Sequence, residues 1–125
     1  MDESAKSQPL QQNDEDLTVE YANNTFFSPT VWDLKIIFGE LAGFKRGVEW
    51  HTAITMTWAH AMLVSYYLQL NIEAFEAANG KINFPAAMIP PPPPPLTPED
   101  QKDPAQKAKF ELITEHHRRF LERLK

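Results

Sequence analysis

Alternating apolar and polar positions predict three β-strands in the first half of the chain. Residues 17–27 begin with this alternation, residues 31–38 repeat it, and residues 48–56 show it most clearly. A period of two residues is typical of a strand with one buried face. The positions predicted to share one face of each strand are Leu17, Val19 and Tyr21, then Trp32, Leu34, Ile36 and Phe38, then Val48, Trp50, Thr52, Ile54 and Met56. Pro29 is expected to break the first strand. The pattern predicts a three-stranded antiparallel sheet with one solvent-exposed face.

A long helix is expected directly after the third strand. The hydroxyl of Thr57 can cap the first turn of a helix that begins at Trp58 and continues to about Ala78. Asn79 and Gly80 then supply a left-handed stop. We therefore expect an α+β core in which this helix packs across the apolar face of the sheet.

The first half of this helix is apolar on every side, whereas a surface helix normally carries one apolar stripe. Its apolar residues include Met62, Leu63, Val64, Tyr66, Tyr67, Leu68, Leu70 and Ile72. A three-stranded sheet can cover one side only. The other side needs a second copy of the chain or the C-terminal segment, and we favour a homodimer formed through Met62, Tyr66 and Leu70.

Proline and charge divide the chain into four parts. Residues 1–16 are polar and acidic, which predicts a disordered arm. Residues 17–85 form the predicted core domain, and residues 86–103 a proline-rich linker. Six consecutive prolines at residues 90–95 favour polyproline II, a spacer about 19 Å long at about 3.1 Å per residue. Residues 104–125 form the last part.

The last part is predicted to be an amphipathic helix. Asp103 is a suitable cap, and Pro104 suits the first helical position. One apolar stripe follows a three-four spacing through Phe110, Ile113, His117, Phe120 and Leu124. We expect Phe110, Ile113, Phe120 and Leu124 to dock this helix on a surface. The sequence leaves open whether that surface belongs to the same core, a dimer mate or another protein.

Several short segments resemble a bacterial family catalogued as domain of unknown function 3467. The similar segments are Tyr21-Ala-Asn-Asn, then Ser28-Pro-Thr-Val-Trp-Asp-Leu-Lys-Ile-Ile-Phe-Gly-Glu-Leu41, then Val48-Glu-Trp-His-Thr-Ala-Ile-Thr-Met-Thr-Trp-Ala-His-Ala61. The resemblance covers residues 17–85. The chain departs from the family pattern at Thr57-Trp58 and at Met62. The resemblance implies a bacterial origin and a small domain without catalysis, and it carries over no functional residues.

Composition narrows the classes of function. The chain has 12 basic and 17 acidic residues, a net charge of −5, which disfavours general binding to phosphate backbones or anionic membranes. It has no cysteine, so a disulfide or thiolate site is excluded. No apolar run resembles a signal peptide or a membrane span. We expect a cytoplasmic protein without cofactors.

Two alternative functions remain open. A small metal-dependent hydrolase would use His51 and His60 with Glu40 or Glu49, although no His-Glu-x-x-His spacing is present. A nucleic-acid-binding protein would use basic side chains together with stacking by Phe44 or Trp50. Those basic residues are Lys45, Arg46, Arg118, Arg119, Arg123 and Lys125. We favour an interaction module that is not an enzyme.

Overall fold

The computed structural model describes residues 14–44 and 46–125. Its strands are β1 (Asn24–Pro29), β2 (Asp33–Glu40) and β3 (Glu49–Thr57), and its helices are α1 (Trp58–Asn79) and α2 (Pro104–Arg123); single 3₁₀ turns form at Asp14–Asp16, Ala86–Met88 and Asp100–Lys102. The predicted α+β order of three strands, a long helix and a C-terminal helix is confirmed. Most of the expected acidic arm and Lys45 lie outside the described residues.

The strands form one antiparallel sheet in the order β1-β2-β3. Phe27 of β1 pairs with Ile36 of β2, which pairs with Ile54 of β3. Because partner residues point to the same side of a sheet, alternate positions along the strands form one apolar surface. We call this surface the apolar sheet face; its residues are Phe27, Leu34, Ile36, Phe38, Ile54 and Met56.

The first strand begins later than predicted. Residues 17–23 lie outside any strand, and β1 includes Pro29, which was expected to break it. The Asn23 side chain explains the start: its amide donates to the Leu41 carbonyl at 3.1 Å and accepts from the Leu41 amide at 2.8 Å. These two bonds close the ladder where β2 ends. Pro29 is tolerated because it occupies the last position of an edge strand.

A β-bulge turns Trp50 away from its predicted face. Phe38 pairs with Thr52, but Gly39 pairs with Trp50, so His51 is an extra residue on β3. Trp50 therefore lies on the side opposite Thr52, where its ring meets that of Phe26 at 6.5 Å in an edge-on arrangement. The prediction that Trp50 and Thr52 share one face was wrong, because a single inserted residue reverses the face of every position before it.

The turn between β1 and β2 is organised by Thr30. Its hydroxyl accepts from the amides of Trp32 at 3.1 Å and Asp33 at 3.0 Å, and its backbone amide donates to the Asp33 carbonyl at 2.9 Å. Trp32 was predicted in the second strand, but the turn leaves it exposed at the tip. Asp33 is thereby engaged in closing the turn, since its carboxylate also accepts from the Thr30 hydroxyl.

Helix α1 has the predicted ends. The Thr57 hydroxyl accepts from the His60 amide at 3.1 Å, which is an N-cap bond. At the other end Gly80 adopts φ +91°, and its amide donates to the Glu76 carbonyl at 2.9 Å. A residue with a β-carbon would be strained at that φ, so Gly80 fits the stop that the sequence predicts.

The structure differs from the prediction in the packing of α1. The helix does not lie across the sheet, and no apolar side chain is buried in residues 14–44 and 46–125. The physical reason is the junction: β3 ends at Thr57 and α1 begins at Trp58, with no connecting residue. The Trp58 indole also donates to the Thr30 carbonyl at 2.9 Å, which ties the start of the helix to the β1–β2 turn.

The chain divides within α1 into two compact units, one ending at Glu73 and the other running from Ala74 to Lys125. In the second unit α2 begins as predicted, because the Asp103 carboxylate accepts from the Ala105 amide at 2.9 Å and Pro104 occupies the first turn.

Candidate interaction surfaces

The three residues predicted for self-association share one side of α1. Met62, Tyr66 and Leu70 follow each other at intervals of four, and their exposed fractions are 75%, 63% and 49%. With Trp58, Ala61 and Ser65, the first two line an open surface groove. The structure therefore brings the predicted residues together on an accessible stripe, which we call the first stripe.

A second apolar stripe lies on the opposite side of α1. At about 100° per residue, Ala61, Val64, Leu68 and Ile72 fall within one quarter of the helix circumference. Ser65 and Gln69 lie between the two stripes on one flank. On the other flank His60 and Asn71 lie beside Leu63 and Tyr67, so the apolar surface continues there. The prediction that the helix is apolar on every side agrees with these positions. Helical-wheel positions add that its most polar flank lies at Ser65 and Gln69.

The first four turns of α1 also lack charge. Residues 58–72 contain no Asp, Glu, Lys or Arg, and the first charged side chain is Glu73, which accepts from the Gln69 amide at 3.0 Å. Asn71 is satisfied within the helix, because its side chain donates to the Tyr67 carbonyl at 2.7 Å. Covering this segment would therefore desolvate no carboxylate, ammonium or guanidinium group, and such charged groups are the costliest to take out of water.

The apolar stripe of α2 faces the proline run of its own unit. The His117 Nε2 atom donates to the Pro90 carbonyl at 2.8 Å, and Phe110 and Ile113 line a groove with residues 93–96. Pro90 thus lies beside the late turns of α2 and residues 93–96 beside its earlier turns, so the two segments are antiparallel. The residues predicted to form a polyproline spacer therefore contact α2 itself.

Aromatic packing reinforces this arrangement in the second unit. The rings of Phe84 and Phe120 meet edge to face with centroids 5.2 Å apart, and Phe120 also lines a groove with Pro90 and Pro91. Leu124 lies at the C-cap of α2 and is half-buried. Phe110, Ile113, Phe120 and Leu124 therefore remain a predicted docking set, but a partner would share their stripe with the prolines.

His51 is held by hydrogen bonds rather than left open to a metal. Its Nε2 donates to the Tyr21 carbonyl at 2.9 Å, and its Nδ1 lies 2.7 Å from the Thr52 hydroxyl. A carbonyl can only accept, so the hydrogen is on Nε2. His60 lies in the first turn of α1. Within residues 14–44 and 46–125, no three potential ligands come together to hold a metal ion.

Carboxylates accompany the basic side chains of α2. Arg118 contacts Glu115 at 2.6 Å and Arg119 lies 3.9 Å from the same carboxylate, while Lys125 lies 3.3 Å from Glu122. The Arg118 hydrogen bonds hold the pKa of the Glu115 carboxyl below its usual value. Of the two arginines, Arg118 is the closer partner of Glu115. These pairs weaken the positive potential that a phosphate backbone would meet.

Comparisons with protein-family models, curated proteins and solved structures find no significant match for this chain. The resemblance to domain of unknown function 3467 therefore stays a prediction. In the described part of the chain, neither helix has the length and apolar character needed to cross a membrane.

Proposed function

We propose that this protein is a small interaction module, not an enzyme, that self-associates as a homodimer through α1. The observation that carries the proposal is the exposed, charge-free segment of residues 58–72. Monomeric proteins seldom expose large continuous apolar patches, and such patches mark interaction sites. The first stripe of Met62, Tyr66 and Leu70 supplies the contact between copies.

The expected low stability of a single chain supports the same proposal. A domain of about 70 residues is marginal even when its apolar side chains are buried, because ordering the chain costs about 1–2 kcal/mol per residue. In the described residues no apolar side chain is buried. A second copy would remove this surface from water and supply the missing hydrophobic free energy. The α2 helix, with its apolar stripe, is proposed as a site where a further protein can add to the dimer.

Co-purification of two differently tagged copies tests the proposal. Both full-length chains are expressed in one cell, and one tag is captured in 0.1 M and then in 1 M salt. We expect the second tag to be recovered at both concentrations, since apolar contacts are not screened by salt. Recovery of one tag alone would contradict the proposal. Recovery that is lost in 1 M salt would contradict it too, because it would indicate association between the acidic N-terminal and basic C-terminal residues.

A further inference from the structure

The apolar sheet face has no cover from its own helix. Phe27 and Ile54 on this face are about half exposed, and α1 of the same chain stays clear of the strands. A helix that folds back on its own sheet needs a connection, commonly two to six residues, in which the chain reverses. Here Thr57 ends β3 and Trp58 starts α1, so the chain has no room for that reversal.

The Trp58 side chain also constrains the direction in which α1 leaves the sheet. Asp33 pairs with Thr57, so the β1–β2 turn and the end of β3 lie at the same end of the sheet. The bond from the Trp58 indole to the Thr30 carbonyl joins α1 to that turn. The helix therefore starts at the end of the sheet and leaves it, which exposes both the apolar sheet face and the helix.

We propose that α1 of a second copy covers the apolar sheet face, and that the two copies exchange their helices reciprocally. This inference rests on the proposed function and adds the surface that α1 meets. The second stripe of α1 lies on the partner's sheet, and the first stripe packs against the partner's α1. A two-fold axis makes both contacts equivalent in the two copies.

The two stripes of α1 fit this arrangement. A helix between a sheet on one side and a helix on the other needs apolar residues on two opposite sides, which is what residues 58–72 carry. The second stripe combines the small Ala61 with the β-branched Val64 and Ile72, which allow close approach to a flat sheet. Ser65 and Gln69 on one flank, and His60 and Asn71 on the other, would lie at the edges of the layers within reach of water. Leu63 and Tyr67 on the second flank would add apolar contact beside the first stripe.

The length of the apolar segment of α1 is also compatible with the length of the sheet strands. Residues 58–72 extend about 22 Å at about 1.5 Å per residue. The eight residues of β2 and nine of β3 extend about 27–30 Å at about 3.4 Å per residue. A standard interface needs about 800 Å² from each partner. Phe27 and Tyr66, each about half exposed, offer roughly 200 Å² of it, since a covered aromatic side chain buries about 150–250 Å². The aliphatic residues of the stripes add to this area.

Crosslinking between engineered cysteines tests the exchange of helices. Because the chain has no native cysteine, only the introduced thiols can react. Full-length Ile54→Cys, on the apolar sheet face, is co-expressed with a differently tagged Leu68→Cys, on the second stripe. A short thiol–thiol crosslinker is expected to join the two tags in at least a tenfold larger yield than in the matched control. The control replaces Ile54→Cys by Thr55→Cys, the next residue along β3, which points to the opposite face.

The remaining outcomes separate this inference from the proposed function. Dimers in which Ile54→Cys and Leu68→Cys give no more product than the control would overturn helix exchange and leave self-association standing. A chain carrying both cysteines that crosslinks only within itself would also overturn it, because α1 would then cover its own sheet. Failure of both tags to co-purify before crosslinking would overturn the proposed function and the exchange together.

Discussion

Replacing Tyr66 and Leu70 together by glutamate is expected to convert the dimer into monomers. Both side chains lie on the first stripe and are exposed in the single chain, so the substitutions place no new charge inside a monomer. In the dimer they would bury four carboxylates without partners. Each buried, unpaired charge costs several kcal/mol, and about 1.4 kcal/mol changes an equilibrium tenfold. We expect dimerisation to weaken by about 10³-fold or more, measured by sedimentation equilibrium.

A matched control separates this effect from a general effect of added charge. Leu112 on α2 is 65% exposed and lies off the stripe that faces the prolines. Leu112→Glu is expected to leave the dimer unchanged. Circular dichroism checks that the double variant retains its helix. A folded Tyr66→Glu, Leu70→Glu variant that dimerises as well as the unmodified chain would refute the assignment of the first stripe.

The second large effect is expected at Gly39. A β-carbon there would lie 2.7 Å from Trp50 Cε3, 2.7 Å from Val48 Cγ1 and 2.8 Å from the Glu49 carbonyl oxygen. The last of these is a backbone atom of the adjacent strand and cannot rotate away, so Gly39→Ala must distort the bulge or expel Trp50. Overpacking of this kind costs about 1–3 kcal/mol. We expect the free energy of unfolding to fall by about 2–3 kcal/mol in urea titration.

Gly43 offers the matched control for Gly39. A β-carbon at Gly43 would meet no atom within 4 Å. Gly43→Ala is therefore expected to change the free energy of unfolding by less than about 0.5 kcal/mol, as surface substitutions usually do. Equal urea midpoints for Gly39→Ala and Gly43→Ala would show that the close approach of β2 and β3 at the bulge does not stabilise the sheet.

Local patterns in the sequence predicted most of the secondary structure. The alternation around Ile36 and Ile54, the cap at Thr57 and the stop at Gly80 are short-range signals, and the structure has all of them. The start of β1 and the face of Trp50 depend on longer-range features. Asn23 ends the ladder by bonding to Leu41, 18 residues away, and the bulge depends on pairing between strands. Alternation within one strand shows neither where β1 begins nor which face Trp50 occupies.

Packing partners were harder to predict than elements. An apolar helix shows how much surface must be covered, but not what covers it, because burial is non-directional. The sequence therefore suggested that α1 lies on its own sheet, while the direct junction after Thr57 prevents it. In the same way the stripe of α2 did not indicate that residues 90–95 would contact it. The His117 bond to Pro90 spans 27 residues and follows from tertiary structure.

The solution mass of the unmodified full-length chain tests the central claim most directly. That claim is that a second copy covers the apolar surface of α1. Light scattering after size exclusion, from micromolar to near-millimolar concentration, is expected to give twice the single-chain mass of 14.3 kDa. A mass of 14.3 kDa over the whole concentration range would contradict the claim.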